Sequence, residues 1–306
     1  MFDVLIVGGG PAGLSAALAL GRCRRKVLIC DKGEPRNAAS KALHGYLTRD
    51  GIAPSEFLRL GREEVLRYPN VQFLQSEIVR AERKLRHFGV HTESGETFWG
   101  RILLLATGIV DVLPPFTGME RFYGRSVHHC PYCDGWEHQN QRIAVQGEGV
   151  DGAELAVKMK RWSSAVVFCH SAEITDQKAL LKLKTSGVEM KVGQIERLEG
   201  EGDSIRSILF RDGSRLECSA LFISAPQCQR SDLASKLGCK ITPSGQIDCT
   251  EHLETSIDGV FAIGNASPGL QLVIIAASEG TRVGFSIDEA LAQADLADLE
   301  HLKRTD

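Results

Sequence analysis

The chain has 306 residues, enough for two ordinary domains with ample cores. It is 43% hydrophobic and 25% charged, as globular proteins are, and with a formal charge of −3 nothing calls for nucleic acid or a membrane surface as partner. No apolar run approaches the ~20 residues of a membrane helix, and the opening MFDVLIVGGG lacks the basic region of a signal peptide and reads as a strand.

Residues 2–7 (FDVLIV) form a buried parallel strand in this reading. The turn Gly8-Gly9-Gly10-Pro11-Ala12-Gly13 follows, then a helix over Leu14–Leu20 and a strand over Lys26–Cys30 that ends in Asp31. This is a βαβ unit with G-x-G-x-x-G, the pattern of a dinucleotide site. Gly8 allows the tight turn, Gly10 lets backbone approach a pyrophosphate and Gly13 lets helix pack on strand. Asp31 is placed to accept hydrogen bonds from a ribose. The polar stretch 34–51 either lines the cofactor or is a surface loop with a short helix. Helical spacing over 54–67 puts Phe57, Leu58, Val65 and Leu66 on one side, and residues 71–80 and 87–104 alternate like strands around a turn at 84–86. Ile102–Leu105 runs into Ala106-Thr107-Gly108, and Leu113-Pro114-Pro115 marks a crossover and a domain boundary.

A strand at 142–146 leads to a second glycine turn (Gly147, Gly149, Gly152), a helix over Ala153–Arg161 and a strand over Ala165–Cys169. This second βαβ unit duplicates the architecture without an evident sequence repeat. A helix over 176–185 and several strands within 188–223 follow. The chain is expected back in the first domain near Gln246. Thr255–Asn265 then reads as turn, strand and glycine, and a helix with small residues spans Leu272–Ala292. The polar tail 295–306 is expected to fray or lie on the surface.

Between the two units stands Cys130-Pro131-Tyr132-Cys133-Asp134-Gly135. Two cysteines two residues apart, followed by an acid, suggest a redox dithiol; between two nucleotide-type folds they imply electron transfer from a bound cofactor to a disulfide. The nine cysteines are odd in number and mostly isolated in apolar segments. That fits a reducing, cytoplasmic compartment, with most of the other seven as small buried hydrophobes. A zinc site would need two more ligands at suitable spacing. Placement at the start of a helical turn lowers a thiol pKa, and exchange then proceeds through a mixed disulfide. Asp134 is positioned as general acid. His129 is either a base in the oxidase direction or a plain surface histidine; His128 reads as the latter.

Taken together, GGGPAG at 8–13, ATG at 106–108, CPYCDG at 130–135, the glycine turn running to Glu154 and TSIDGVFAIG at 255–264 resemble the low-molecular-weight thioredoxin reductase family of flavoproteins. The wording HCPYCDGWE also resembles the branch that includes fungal dithiol oxidases making epidithio toxins. The resemblance implies an α/β fold of two Rossmann-like, three-layer (ββα) domains. Residues 1–115 and 246–306 would form a discontinuous FAD domain, and 116–245 an inserted NAD(P)-type domain carrying the cysteines. It also implies a homodimer. Gly8, Gly10, Pro11, Ala12 and Gly13 would hold the FAD pyrophosphate and Asp31 the ribose. Ala106, Thr107 and Gly108 would line the path, with Gly264, Asn265 and Gln271 near the ribityl chain and flavin. Cys133 would be the flavin-side sulfur and Cys130 the attacking one.

Three departures from the family pattern stand out. Asn265 replaces an aspartate, and Leu270-Gln271 replaces an Arg-Gln pair. In the second nucleotide site His170-Ser171-Ala172 replaces the His-Arg-Arg that meets an NADPH 2′-phosphate, while Glu148 and Asp151 put carboxylates in the phosphate turn. The expectation is an FAD-dependent disulfide oxidoreductase with weak or no NADPH use, acting on a thioredoxin-like protein or a small disulfide or dithiol. NADH, reduced ferredoxin or flavodoxin, or a second FAD in the vacated site enter as alternatives for the donor side. A dithiol oxidase using O2 and a non-catalytic flavin- or redox-sensing protein are the competing functions.

Overall fold

A computed structural model describes residues 1–305. The chain opens with β1 (Phe2–Val7), α1 (Pro11–Arg22), β2 (Val27–Asp31), α2 (Pro54–Val65), β3 (Val71–Gln75), β4 (Ile78–Lys84), β5 (His87–Thr92) and β6 (Thr97–Leu105). These strands, joined late in the chain by β17 (Val260–Ala262), make a seven-stranded sheet in the order β3-β2-β1-β6-β5-β4, with β17 beside β6. The pairs β3–β2, β2–β1, β1–β6 and β6–β17 are parallel, and β6–β5–β4 run antiparallel. Val4 to Val7 are buried on both faces, which is why the first strand is a continuous apolar run rather than an alternating one. One face packs against α1 and the final helix, the other against the layer holding Phe88, Val90 and Leu233.

The middle of the chain builds a second core. Its elements are β7 (Ile109–Asp111), α3 (Met119–Phe122), β8 (Val127–His128), α4 (Pro131–Asp134), β9 (Ile143–Gln146), α5 (Gly149–Met159), β10 (Val166–His170), α6 (Gln177–Thr185), β11 (Glu189–Val192), β12 (Ile195–Glu201), β13 (Ser204–Phe210), β14 (Arg215–Glu217), β15 (Ala220–Ile223) and β16 (Gln227–Gln229). A parallel five-stranded sheet, β11-β10-β9-β15-β8, lies between α5 and α6 on one side and the antiparallel β12-β13-β14 sheet on the other. Each face has its own apolar cluster, so both halves of the chain are layered as expected of Rossmann-like units.

Between the two sheets the chain crosses at β7 and returns at β16, and these strands pair antiparallel through Val110 and Cys228. After β16 come α7 (Leu233–Lys236) and α8 (Val273–Thr305). Leu233, Ala234 and Cys239 already pack in the core of the first sheet, so the return comes ahead of the Gln246 expected from sequence. The first helix starts at Pro11 rather than Leu14, because proline suits the first helical position. The two alternating stretches divide into four strands, with Leu85 at φ 56° and Gly95 at φ 87° turning the chain between them. The tail is helical through Thr305 rather than frayed: Asp295 accepts from Arg25 at 2.9 Å and pairs with Arg101 at 2.6 Å, tying its first turn to the body. The last residue of that tail, Asp306, lies outside the described residues.

Candidate active site

The C-terminal ends of β1, β2, β6 and β17 open into a cleft of about 420 Å³. Gly8, Gly10, Pro11, Ala12, Asp31, Ala106, Thr107, Gly108, Gly264, Asn265 and Gln271 all line it, as do His129, Cys130, Cys133 and Asp134. Gly13 alone of the expected first-site residues does not. A Cβ there would stand 2.0 Å from the Gly8 carbonyl oxygen, so it serves the helix–strand contact. Gly8 sits at φ +110°, and a Cβ on it would meet the Ala106 carbonyl oxygen at 2.2 Å. Gly10 differs: a Cβ on it would meet nothing within 4 Å, so it is the cleft and not the protein that gains from its absence. The Gly9 amide donates to Asp31 Oδ1 at 2.9 Å, which fixes the turn and aims the carboxylate at the cleft. Glycines that bare the backbone, a helix opening at Pro11 and an acid on the next strand fit FAD. Residues between Glu34 and His44 contribute to the same wall.

Cys130 and Cys133 form a disulfide on the far wall. Cys130 caps α4, and the Cys133 amide donates to Cys130 Sγ at 3.2 Å. Because α4 is a single turn of four residues, it supplies little dipole; the amide-to-sulfur bond is the local feature that favours a Cys130 thiolate. Of the other seven cysteines, Cys30, Cys169, Cys218 and Cys239 are buried, and burial pushes the Cys30, Cys169 and Cys218 thiols up to about 12. Cys23 and Cys249 are half-buried, and Cys228, on β16, is exposed.

A polar chain that the sequence did not reveal crosses from the first unit to the disulfide. Arg36 grips Asp111 with two bonds, at 2.8 and 2.6 Å, and donates to Gln271 Oε1 at 2.8 Å. Asp111 is only 4% exposed and accepts from the Tyr123 hydroxyl at 3.0 Å. Tyr123 in turn lies 2.9 Å from His129 Nδ1. The tyrosine has one hydrogen, and Asp111 takes it, so His129 Nδ1 carries the hydrogen in its own bond and Nε2 keeps a lone pair. Burial holds the His129 pKa below its ordinary value, with Asp111 opposing, so a neutral ring is the resting form. His129 is therefore a half-buried base candidate, not a plain surface histidine.

His128 also departs from its surface reading. It is 6% exposed, with Nδ1 3.1 Å from Asp134 Oδ1 and Nε2 3.0 Å from His138 Nε2. The run VHHCPYCDGWEH carried a signal for this, since its three histidines bracket the cysteine pair. Among the described residues no group of three His, Cys, Asp or Glu side chains could hold a metal ion.

In the second unit, Gly147 and Gly152 are spaced for backbone contact: a Cβ on Gly147 would stand 2.6 Å from the Gly152 Cα. Gly149, at φ +58°, opens α5. The donors at the end of β10 are taken by the protein itself. Glu148 Oε1 accepts from the Ser171 amide at 3.0 Å and its hydroxyl at 2.7 Å, and Oε2 accepts from the Ala172 amide at 3.1 Å. Burial alone would raise the Glu148 pKa, but these bonds outweigh it and hold the carboxyl below its ordinary value.

A glycine-lined nucleotide cleft with a disulfide on its wall defines a thiol–disulfide oxidoreductase. The chain belongs to the pyridine nucleotide-disulphide oxidoreductase family, whose sequence pattern matches residues 2–280. It is 32% identical over 324 residues to the thioredoxin reductase tcpT of Claviceps purpurea, an alignment covering 98% of this chain and 96% of that one. Among solved structures, HlmI is 33% identical with a TM-score of 0.95, covering 99% of this chain and 97% of its own. A putative thioredoxin reductase TrxB from Bacillus anthracis is 29% identical with a TM-score of 0.91, covering 96% and 100%. The protein is thus a thioredoxin-reductase-like FAD disulfide oxidoreductase acting on sulfur groups, of a family whose cofactors are FAD and a nicotinamide nucleotide. Among the described residues no helix is long and apolar enough to cross a membrane.

Proposed function

We propose that this protein passes electron pairs between FAD and the Cys130–Cys133 pair, and from there to or from a thioredoxin-like protein or a small disulfide, with little use of NADPH. The observation that carries the second clause is the Glu148 carboxylate seated on the Ser171 and Ala172 amides. An NADPH 2′-phosphate needs cations at this strand end. Here it would meet a fixed negative charge and no arginine from Glu173 to Gln177. NADH and a second FAD lack that phosphate, and reduced ferredoxin or flavodoxin needs no such pocket.

Bound in the first cleft, FAD supplies the two-electron partner of the cysteine pair. The chain's own residues do the rest. In the reducing direction the Cys130 thiolate attacks a substrate disulfide, forming a mixed disulfide and releasing one substrate thiolate. Cys133 then attacks Cys130, re-forms the internal disulfide and releases the second thiolate. Asp134 donates a proton to a departing thiolate. Run backwards, the same exchange oxidises a dithiol, with Asp134 and the lone pair of His129 Nε2 taking the two protons. That free base on the cleft wall is the observation favouring a dithiol oxidase as second reading.

The test is anaerobic stopped-flow reduction with NADPH, NADH and reduced ferredoxin in parallel, after bound flavin has been released and counted by mass. The protein should be yellow and bleach with dithionite, NADPH at micromolar levels should bleach it slowly, and Glu148→Ala should speed that bleaching roughly tenfold, the equivalent of one strong charge–charge contact. Rapid bleaching of the unaltered protein by micromolar NADPH overturns the donor clause. Oxygen-dependent turnover of a small dithiol, without activity on thioredoxin disulfide, selects the oxidase.

A further inference from the structure

The Asp111 carboxylate has all of its acceptor sites filled. Oδ1 accepts from Arg36 Nη2 at 2.6 Å and from Gln227 Nε2 at 3.1 Å; Oδ2 accepts from Arg36 Nε at 2.8 Å and from the Tyr123 hydroxyl at 3.0 Å. A ring of side chains fixes these directions. Arg36 can only donate, so Gln271 turns its side-chain oxygen to Arg36 Nη1, at 2.8 Å. The Gln271 amide nitrogen then faces Gln227 Oε1 at 2.8 Å, which leaves the Gln227 nitrogen for Asp111. The ring is closed by the 34–51 stretch, β7, β16 and the residues leading into α8.

The hydrogen of Tyr123 then has one place to go. Turned toward His129, it would leave the phenol oxygen and Asp111 Oδ2 facing lone pair to lone pair at 3.0 Å, and would forfeit a charge-assisted bond. It stays on the Asp111 side, and the phenol oxygen accepts from His129 Nδ1 at 2.9 Å. Burial and the Asp111 charge push the Tyr123 pKa up, so the hydroxyl keeps its hydrogen at neutral pH. The two rings also stack, with planes 26° apart. His129 Nε2 is the other nitrogen. Among the described residues it has no hydrogen-bond partner, and it is not one of the buried atoms left without one, so it is open to the cleft that His129 lines.

We propose that Tyr123 is a positioning residue for dithiol oxidation: it holds His129 in the one tautomer whose bare nitrogen faces the cleft. The steps balance. A substrate S–H bond breaks and its proton goes to His129 Nε2. The sulfur attacks Cys130 Sγ, the Cys130–Cys133 bond breaks, and its electron pair leaves on Cys133 Sγ as a thiolate. The second thiol proton goes to Asp134, as above. The imidazolium on His129 points its Nδ1 hydrogen at the Tyr123 oxygen, whose own hydrogen points at the Asp111 carboxylate, so both dipoles favour the new charge. Loss of the Nε2 proton to water in the cleft restores the neutral ring. The hydrogens on Nδ1 and on Tyr123 stay in place throughout, so nothing has to be reset before the next dithiol. Tyr123 touches no substrate and acts through His129.

The proposal rests on the exchange chemistry above, and one arm of its test needs none of that chemistry. Holoenzyme is labelled with heavy nitrogen in its histidine rings for NMR, and the His129 signals are picked out by their loss in His129→Gln. They should show hydrogen on Nδ1 and a bare Nε2, and in Tyr123→Phe the hydrogen should move to Nε2. Anaerobic mixing with dithiothreitol then reads the rate of flavin bleaching. Tyr123→Phe should slow it roughly tenfold at unchanged flavin content, less than the 10²–10⁴ lost with an acid–base group itself. Built into His129→Gln, the same change should cost nothing more, because a residue that acts through His129 has no effect without it. Hydrogen on His129 Nε2 in the unaltered protein, a Tyr123→Phe protein at the unaltered rate, or the full tenfold loss in the His129→Gln background overturns the assignment. Should Tyr123→Phe not retain flavin, the spectrum of the unaltered protein decides alone. If the unaltered protein is not bleached by the dithiol at all, it is the exchange reading that fails, and the spectrum still decides the tautomer.

Discussion

Asp111 joins more of the site than any residue singled out in the sequence. Its carboxylate, almost fully buried, holds Arg36 from one unit and Tyr123 from the other, and through Tyr123 it sets the tautomer of His129. Burial alone would raise its pKa, but the Arg36 bonds, the positive charge that His129 takes on in acid and the Tyr123 hydroxyl together hold it below the ordinary 3.8. A carboxyl with a lowered folded-state pKa stabilises the fold above the unfolded value, and the contribution fades as pH falls through the folded value. Asp111→Asn leaves the guanidinium buried and half-paired, and should cost about 3 kcal/mol at neutral pH, the lower end for breaking a buried pair. The gap from the unaltered protein should close as pH drops below 3.8. Urea midpoints at the two pH values check this; a gap that does not change with pH contradicts it. Nothing in the sequence marks Asp111, because its partners Arg36 and Tyr123 come from segments that only the folded chain brings together. Glu148 was legible, since it sits inside a recognisable turn whose chemistry excludes a carboxylate opposite phosphate.

At the scale of elements, the closest packing is between α1 and α8. A Cβ on Gly280 would stand 2.1 Å from the Ala12 carbonyl oxygen, and one on Gly284 would stand 2.8 Å from Ala19 Cβ. The small residues read along the last helix are thus the surface on which the glycine turn's own helix rests. Gly280→Ala must push α1 aside, at about 2 kcal/mol for overpacking. Because Ala12 also lines the cleft, the variant should lose bound FAD as well as thermal stability. Flavin-to-protein ratio and melting temperature at the unaltered values would contradict this. Element types were legible from periodicity, while their ends were not. Pro11 and Gly149 begin helices within turns that read as loops, and the tail's helix depends on Arg25 and Arg101, which are remote in sequence.

For the molecule as a whole, the order of motifs along the chain carried the architecture: two nucleotide-type units, one inside the other, with the cysteine pair between. What it did not carry is how the units meet. The contacts that join them, Lys41 with Asp203, His44 with Glu137 at 3.4 Å, and Arg36 through Asp111 with Tyr123, come from loops without periodicity. With those contacts made the disulfide lines the first cleft, where FAD would share one electron store with the sulfurs. The most direct measurement is an anaerobic titration of the flavin-replete protein with limiting dithionite, read by flavin absorbance. Complete bleaching should take two electron pairs per FAD in the unaltered protein and one in the Cys130→Ser, Cys133→Ser double variant. One pair in both would mean that the disulfide lies outside the flavin's reach, and would contradict the account.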